Sequence, residues 1–333
     1  MSILIEGSVA ELKDKYTDLS QPRLGAEIIS VTDEFFAASE RMLKPTDPVF
    51  IEGKFDDNGK WMDGWETRRR RVVGHDHCVL KICPGVVRTV NIDTSHFTGN
   101  YPHQASLEGC FSETQPDTNT QWVTLFESTE LNGNAHNLID SKADQVCNYL
   151  RLNIFPDGGI ARLRVYGDVY KNWDALAPDE VVDLAAMEYG GRAVYAVDNH
   201  FGHMSNLNAP GKSINMGDGW ETRRRRIPGY DWMVLRLAHA GQIKRVELFT
   251  HFFKGNFPHE VSISAALLDH VNDSRAKQES MFWQELLPKQ ALAADSEFCF
   301  IEELNDIGPI SHIRLNIFPD GGVSRLRMFG TIT

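Results

Sequence analysis

Two long blocks of this sequence occur twice, and the repetition constrains the fold more than any other feature. Gly-Trp-Glu-Thr followed by four arginines occupies residues 64–71 and again 219–226. Arg-Leu-Asn-Ile-Phe-Pro-Asp-Gly-Gly occupies residues 151–159 and again 314–322. The blocks keep their order while the loops between them change length, which indicates an internal duplication. The duplication predicts two homologous domains of about 165 residues, each large enough for its own hydrophobic core.

The composition is that of a soluble globular protein, with 42% hydrophobic residues. No apolar run approaches the ~20 residues that a membrane-spanning helix requires, so no membrane contact is expected. The first residues lack the basic and apolar regions of a signal peptide. No two of the five cysteines occupy matching positions in the two copies. We therefore expect a cytoplasmic protein without a disulfide framework or a cysteine-based zinc site.

The charge balance argues against nucleic acid as a partner. The formal net charge is −12, from 34 basic and 46 acidic residues. A polyanion would be repelled by such a protein, despite the two runs of four arginines. The runs are also short, whereas a nucleic-acid surface usually spreads basic and aromatic residues over a whole face.

The apolar segments are short and rich in β-branched and aromatic residues, which predicts strands. The clearest are 79–82, 86–92, 122–126 and 162–166. Clusters of Gly, Pro, Asn and Asp separate them, as is typical of turns. Helical periodicity is scarce, and the best helix candidates are 180–188 and 265–270.

The end of each copy sharpens the fold prediction. An Arg-Leu-Asn-Ile strand, a Pro-Asp-Gly-Gly turn and an Arg-Leu-Arg strand that stops at a glycine close both copies. This pattern resembles the closing strands of discoidin-like (galactose-binding-like) jelly rolls. We predict an all-β chain of two tandem jelly-roll β-sandwich domains, 1–170 and 171–333. Such domains usually carry ligands in loops at one end of the sandwich.

The four arginines of the first block have two interpretations. Unpaired buried charges are costly, so both faces of an extended run must meet carboxylates, carbonyls or solvent. One interpretation is a structural ion-pair network with Glu66 and the loop of Asp157. The other is a planar, bidentate clamp for a ligand carboxylate or urea-like carbonyl. Duplication of the run in an acidic protein favours the clamp somewhat but does not separate the two.

The segment 93–103 and its counterpart 249–259 form Gly-Asn-aromatic-Pro loops. His103 and His259 match, whereas Asp93 and His96 occur only in the first copy and His251 only in the second. Each histidine is either a hydrogen-bonded loop residue or a proton carrier near neutral pH.

Two further features each have a structural and a functional interpretation. Asp157 and Asp320 precede paired glycines, so they fit either a tight turn or a site at the loop end. The sequence His75-Asp76-His77 is the one tight histidine cluster, but the second copy has lost both histidines. We interpret it as a loop or the start of a strand rather than a metal site.

Four blocks together resemble the allantoicase family. They are Asp-Glu-Phe-Phe at 33–36, Asp-Gly-Trp-Glu-Thr with four arginines at 63–71, His-Phe-Thr-Gly-Asn-Tyr-Pro at 96–102, and the block at 151–159. The resemblance extends over about 25–330. It implies hydrolysis of allantoate to (S)-ureidoglycolate and urea, a step of purine (allantoin) degradation, by tandem jelly-roll domains. It also implies a homo-oligomer and no required cofactor, with Mn²⁺ stimulation left open.

The chemistry of allantoate suggests roles for the repeated residues. Its carboxylate suits an arginine clamp, and its two ureido groups need carboxylate or amide acceptors and further donors. Loss of urea needs an acid for the leaving group and a base for water. Direct displacement and an imine-like intermediate both remain open.

We therefore assign catalysis to four residues of the first copy and expect no metal ligand. These catalytic candidates are Glu66, Asp93, His96 and His103. The substrate-binding candidates are Arg68, Arg70, Asp157, Glu221, Arg223, Arg225, His251, His259 and Asp320. The first copy is preferred because the second places Phe249 and Phe252 at the positions of Asp93 and His96. Whether each copy has a site or the copies share one stays open.

The alternative function is non-catalytic binding. Tandem discoidin-like domains often bind sugars or partner surfaces, and a fold does not determine a function. In that case the arginines are scaffolding, and exposed loop aromatics bind a carbohydrate or a small carboxylate ligand.

Overall fold

Short segments of alternating polar and apolar residues form antiparallel strands throughout the chain. The computed structural model describes residues 6–177, 179–268 and 273–333. The chain divides into two compact units, Met1–Lys171 and Asn172–Thr333. Among the described residues, no helix has the length and apolar character needed to cross a membrane. All five cysteines are free thiols.

The first unit opens with helix α1 (Glu6–Lys15) and continues as strands and short 3₁₀ turns. Its strands are β1 (Thr17–Asp18), β2 (Glu27–Val31), β3 (Phe55–Asp56), β4 (Gly59–Lys60), β5 (Trp65–Glu66), β6 (Asp76–Asp93), β7 (Gln104–Cys110), β8 (Val123–Glu130), β9 (His136–Asp140), β10 (Val146–Phe155), β11 (Gly159–Ile160) and β12 (Arg162–Val169). Its 3₁₀ turns are Pro22–Leu24 and Ser39–Leu43.

Strand β6 has 18 residues and takes part in two layers. Its first part pairs with β2 and β10, and its second part pairs with β9 and β12. One layer therefore has the order β2-β6-β10-β7-β8, and the other has the order β9-β6-β12-β1. Apolar side chains from both parts of β6 enter one core. Fully buried members include Trp65, Leu80, Ile92, Leu150 and Leu163.

The second unit repeats this arrangement, with a 19-residue strand in the place of β6. Its strands are β13 (Val182–Asp183), β14 (Arg192–Ala196), β15 (Trp220–Glu221), β16 (Asp231–Phe249), β17 (Glu260–Ala266), β18 (Gln284–Ala291), β19 (Glu297–Phe300), β20 (Ile310–Phe318), β21 (Gly322–Val323) and β22 (Arg325–Ile332). Helix α2 is Asp273–Glu279, and the 3₁₀ turns are Trp173–Ala175, Met187–Tyr189, Met204–Asn206, Met216–Asp218 and Ser280–Phe282. Buried core residues include Trp220, Leu235, Leu248, Leu315 and Leu326.

The all-β prediction is confirmed, but three local predictions are wrong. The strands expected at 79–82 and 86–92 are one strand, β6, because Gly85 pairs with Cys147 on one side and with Val169 on the other. The predicted helix at 180–188 is the short strand β13 followed by a 3₁₀ turn. In the predicted helix at 265–270, the first two residues end strand β17, and 269–270 lie outside the described residues.

Candidate active site

The repeated Trp-Glu-Thr block of the first unit belongs to a small separate sheet. Strand β5 pairs with β11, so Glu66 lies opposite Gly159. On its other side, Glu66 exchanges backbone hydrogen bonds with Ala37. The indole of Trp65 is buried and donates to the carbonyl of Asp33 at 2.8 Å. The strand thus brings three loops that are distant in sequence around the Glu66 carboxylate.

Glu66 and Asn100 form the polar centre of this cluster. The Asn100 side-chain amide donates to Glu66 Oε1 at 2.6 Å, while its backbone carbonyl accepts from the N–H of Gly159 at 2.7 Å. Burial raises the pKa of Glu66 above its ordinary value, although the Asn100 hydrogen bond acts in the opposite direction. The carboxyl therefore keeps its proton to a higher pH than an exposed glutamate does.

The close approach of β11 requires glycine. A Cβ at Gly159 would lie 2.0 Å from Cε1 of Phe97, whose ring is fully buried. Gly322 and Phe253 repeat the contact in the second unit at the same 2.0 Å. The second glycine of each Pro-Asp-Gly-Gly turn is thus explained by packing against a phenylalanine of the neighbouring loop.

Arg68 lies at the surface and is anchored by Asp33. Its Nε donates to Asp33 Oδ2 at 2.7 Å, and its Nη2 lies 2.6 Å from the same oxygen. The Arg68 side chain is nevertheless 62% exposed. One edge of the guanidinium is therefore fixed, while most of the side-chain surface stays open to solvent. Hydrogen bonds from Arg68 also hold the pKa of Asp33 below its ordinary value, against the desolvation that would raise it.

Arg69 and Arg70 pack against other carboxylates. The Arg70 guanidinium donates to the buried Asp76 at 2.7 Å, and its backbone N–H donates to Asp157 at 2.8 Å. Arg69 is 3.6 Å from Asp157 and mostly exposed. The arginine run is therefore an ion-pair network with Asp33, Asp76 and Asp157. Glu66, which one of the two interpretations placed in that network, is paired with Asn100 instead.

The remaining catalytic candidates lie around the loop that follows β6. Asp93 is buried and accepts from the backbone N–H of Ser95 at 2.8 Å, which closes the turn. His96 is exposed, with a φ of +69°, and its Nε2 is 3.3 Å from the carbonyl of Pro48. His103 is exposed, with its ring centroid 5.9 Å from that of Tyr101. In the described part of the chain, no hydrogen bond connects either histidine to Glu66.

The second unit repeats the central pair and its supports. The Glu221 carboxylate accepts from the Asn256 amide, and burial raises its pKa as it does for Glu66. The matching arginine contacts are Arg223 to Asp198, Arg225 to Asp231 and the Arg225 backbone to Asp320.

The histidines of the second unit have different surroundings. His251 Nε2 lies 3.0 Å from Glu297 Oε1. His259 is exposed, and its ring centroid is 6.2 Å from that of Phe257. The position of His96 is taken by Phe252, which shares its positive φ, at +70°.

Comparison with known proteins identifies the family. Residues 17–170 and 182–333 each match the allantoicase repeat. The chain belongs to the allantoicase family.

Relatives in this family match the chain over nearly its whole length. A "probable allantoicase" from Pseudomonas fluorescens strain Pf0-1 is 52% identical over 96% of this chain and 97% of the relative. A "probable allantoicase" from Pseudomonas aeruginosa strain UCBPP-PA14 is also 52% identical, over 95% of this chain and 96% of the relative.

Solved structures agree with the sequence relatives. The crystal structure of the allantoicase from Saccharomyces cerevisiae is 31% identical, with a TM-score of 0.81, and covers 99% of both chains. A second allantoicase structure is 30% identical, with a TM-score of 0.83, and covers 99% of this chain and 100% of that one. The tandem jelly-roll fold expected from the sequence is thus confirmed.

Three residues that contact the repeated Trp-Glu-Thr block and its arginines are not singled out by the sequence analysis. They are Asn100, Asp33 and Asp76, with their counterparts Asn256, Asp198 and Asp231. Each of these residues is identical to its counterpart in the other copy, and this identity is the sequence signal that could have identified it. A lone asparagine or aspartate in a loop has too many structural explanations to be singled out without the contact it makes.

No set of three or more metal-ligating side chains comes together in the described residues. The rings of His75 and His77 are 6.3 Å apart between centroids, and Asp76 between them contacts Arg70.

Proposed function

We propose that this protein hydrolyses allantoate to (S)-ureidoglycolate and urea, cleaving a carbon–nitrogen bond of a linear amidine-type substrate. The observation that carries the proposal is the pair of full-length allantoicase repeats. The chemistry needs an acid near neutral pH, a carboxylate-binding cation and a base for water. We assign each of these roles to residues of the first unit.

Glu66 is the proposed general acid. Its raised pKa and its hydrogen bond from Asn100 support this role, because a partly buried carboxyl retains a proton that it can transfer. Over the whole reaction, a bond forms between the water oxygen and the central carbon, and the bond from that carbon to one ureido nitrogen breaks. The proton from Glu66 goes to the leaving nitrogen, which departs as urea, and the proton from water restores the acid or passes to a base.

Arg68 is the proposed contact for the substrate carboxylate. Asp33 fixes one edge of its guanidinium, and the exposed N–H groups remain available for an anion. Arg70 is committed to Asp76, so we propose that it acts by holding the loop of Asp157 beside β5. Arg223 and Arg225 have the same two roles in the second unit, with Asp320 in the place of Asp157.

Proton transfer to and from water is assigned to His96 or His103. Both are exposed on loops that flank Tyr101, and histidine changes protonation state near neutral pH. Asp93 shapes the turn that carries His96, through its bond to Ser95.

The proposed substrate contacts of the second unit are Glu221, His251 and His259. We further propose a homo-oligomer that needs no cofactor, with Mn²⁺ as a possible activator.

Urea release from allantoate by the purified protein tests the proposed function. The assay is run with and without added Mn²⁺, and a coupled urease reaction measures the product. Stoichiometric formation of urea and ureidoglycolate is expected. Absence of urea in both arms would favour the alternative, a non-catalytic jelly-roll module that binds a carbohydrate or a small carboxylate ligand.

A further inference from the structure

A polar cavity of about 460 Å³ lies on the sheet of the first unit, lined by residues that the proposed reaction does not use. Two rows of side chains cross the strands beneath it. His77, Asn153 and Ser106 are aligned in one row, and Arg151, Glu108 and Thr124 are aligned in the next. His75, Glu127 and Phe155 complete the lining.

The cavity floor is a connected hydrogen-bond network. Arg151 donates to both oxygens of Glu108, at 2.7 and 2.9 Å. The Asn153 amide nitrogen donates to Glu108 at 2.9 Å and to Ser106 at 3.2 Å. These bonds fix the orientation of the Asn153 amide, so its oxygen must accept from Nε2 of His75, 3.3 Å away. The contact places a proton on Nε2 of the His75 ring, and in the neutral tautomer with that proton Nδ1 is an acceptor.

Donors and acceptors remain available at the cavity. Among the described residues, no protein hydrogen bond uses Nη1 of Arg151 or Nδ1 of His75. The ring of Phe155 lies 4.6 Å from that of His75, and Trp122 lies 4.8 Å from the Arg151 guanidinium, so flat surfaces border these groups. A planar ligand with N–H donors and a carbonyl acceptor fits this combination.

The charge of the lining selects a neutral ligand. Two carboxylates, Glu108 and Glu127, face one guanidinium, Arg151. Burial lowers the pKa of His77, so this imidazole is uncharged at neutral pH. The excess negative charge disfavours an anion such as a free carboxylate.

The second unit carries different residues at the positions that line the cavity. Tyr230 and Trp232 replace the two histidines, and Ser264 replaces Glu108 at the register position opposite Arg314. The Arg314 guanidinium lies 4.0 Å from the centroid of the Trp232 ring and stacks over it. The floor residues Arg314, Asn316 and Ser262 are kept.

We infer that the cavity of the first unit binds a small, neutral, planar amide or ureide and that it is a site separate from the Glu66 cluster. Successive side chains of a strand point in opposite directions, and this separates the cavity from the Glu66 cluster. Asp76 contacts Arg70 of the cluster, while its neighbours His75 and His77 line the cavity. The inference does not depend on the proposed hydrolysis.

Calorimetric titration of the intact protein with hydantoin, a neutral cyclic ureide, tests this inference. We expect saturable binding of one hydantoin per chain, and binding at least tenfold weaker for 1,3-dimethylhydantoin, which has no N–H donor. The variant H75Y/H77W copies the second unit and should reduce hydantoin affinity at least tenfold. Tyr230→His in the second unit serves as the control and should leave binding unchanged.

Three results would overturn the inference: no hydantoin binding, equal binding of the dimethylated compound, or undiminished affinity in H75Y/H77W. A parallel loss of urea release in H75Y/H77W would overturn the separation of the two sites. If the double variant does not fold, His75→Phe keeps a ring beside Phe155 but removes Nδ1, and it should show the same loss. Binding is measured without turnover, so its failure is distinguishable from failure of the proposed hydrolysis.

Discussion

At the scale of single residues, neighbouring arginines of the same run have different surroundings. Arg68 and Arg70 are two positions apart, yet the first is mostly exposed and the second is packed against Asp76. The same division occurs at Arg223 and Arg225. The structural and ligand-binding interpretations of the run therefore apply to different arginines of one block.

Substitution of Arg68 by lysine should raise KM for allantoate while leaving the fold intact. Lysine keeps the charge but loses the planar donor edge that Asp33 orients. A charged hydrogen bond contributes about 1.5–3 kcal/mol, so a roughly ten- to hundredfold rise in KM is expected. Steady-state kinetics check the prediction, with Arg275→Lys on helix α2 as an exposed control. An unchanged KM in folded Arg68→Lys would count against the carboxylate contact.

His96 and His103, near the loop that follows β6, are expected to contribute to turnover, unlike a histidine outside the candidate site. Replacing both His96 and His103 by asparagine should lower kcat, because a positioned proton carrier contributes about 10²–10⁴-fold, and the two single replacements should show which histidine carries the proton. His239→Asn, in the second unit, provides a histidine control. Wild-type turnover in the double variant would remove proton transfer from both residues.

At the scale of elements, the small β5–β11 sheet is what assembles the cluster, and its spacing depends on glycine. Gly159→Ala should destabilise the protein by about 1–3 kcal/mol, since the new Cβ lies 2.0 Å from a Phe97 ring that is fully packed. Gly99→Ala in the neighbouring loop is the control, because its Cβ meets no atom within 4 Å. Chemical denaturation of both variants checks this, and equal stabilities would refute the packing explanation.

The sequence could predict the strands and the duplication, but it could not predict this assembly. The strong β signals of 122–126 and 162–166 correspond to strands because burial and side-chain type agree there. Pro84 and Gly85 read as a break between strands, whereas they mark where β6 passes from one layer to the other. The contact of Glu66 with Asn100 spans 34 residues, and no local pattern encodes such a contact.

At the scale of the whole molecule, a buried carboxylate should make stability depend on pH. Desolvation raises the pKa of Asp183 from 3.8 to about 6, although the N–H of Met328 and the charge of Arg327 oppose this. A raised pKa in the folded state means that the folded protein favours the protonated carboxyl. The stability that this preference contributes is fully present below about pH 4 and is lost as pH rises through 6. The shift in the Asp183 pKa corresponds to about 3 kcal/mol in the free energy of unfolding.

Asp183→Asn should remove this part of the pH dependence. Asparagine keeps an oxygen that can accept from the N–H groups of Ala185 and Met328, but it cannot ionise. The free energy of unfolding is measured at pH 4.5 and 7 for both proteins. The wild type should lose more stability between the two pH values than the variant does, and identical losses would contradict the assignment.

The kcat for urea release by Glu66→Gln tests the account most directly. Glutamine keeps the contact with Asn100 but carries no transferable proton, so kcat should fall roughly 10²–10⁴-fold. In the wild type, kcat should decline as pH rises above the pKa of Glu66, which burial places above the ordinary glutamate value. The exposed Glu113→Gln should behave as the wild type. A folded Glu66→Gln protein with wild-type kcat would contradict the account.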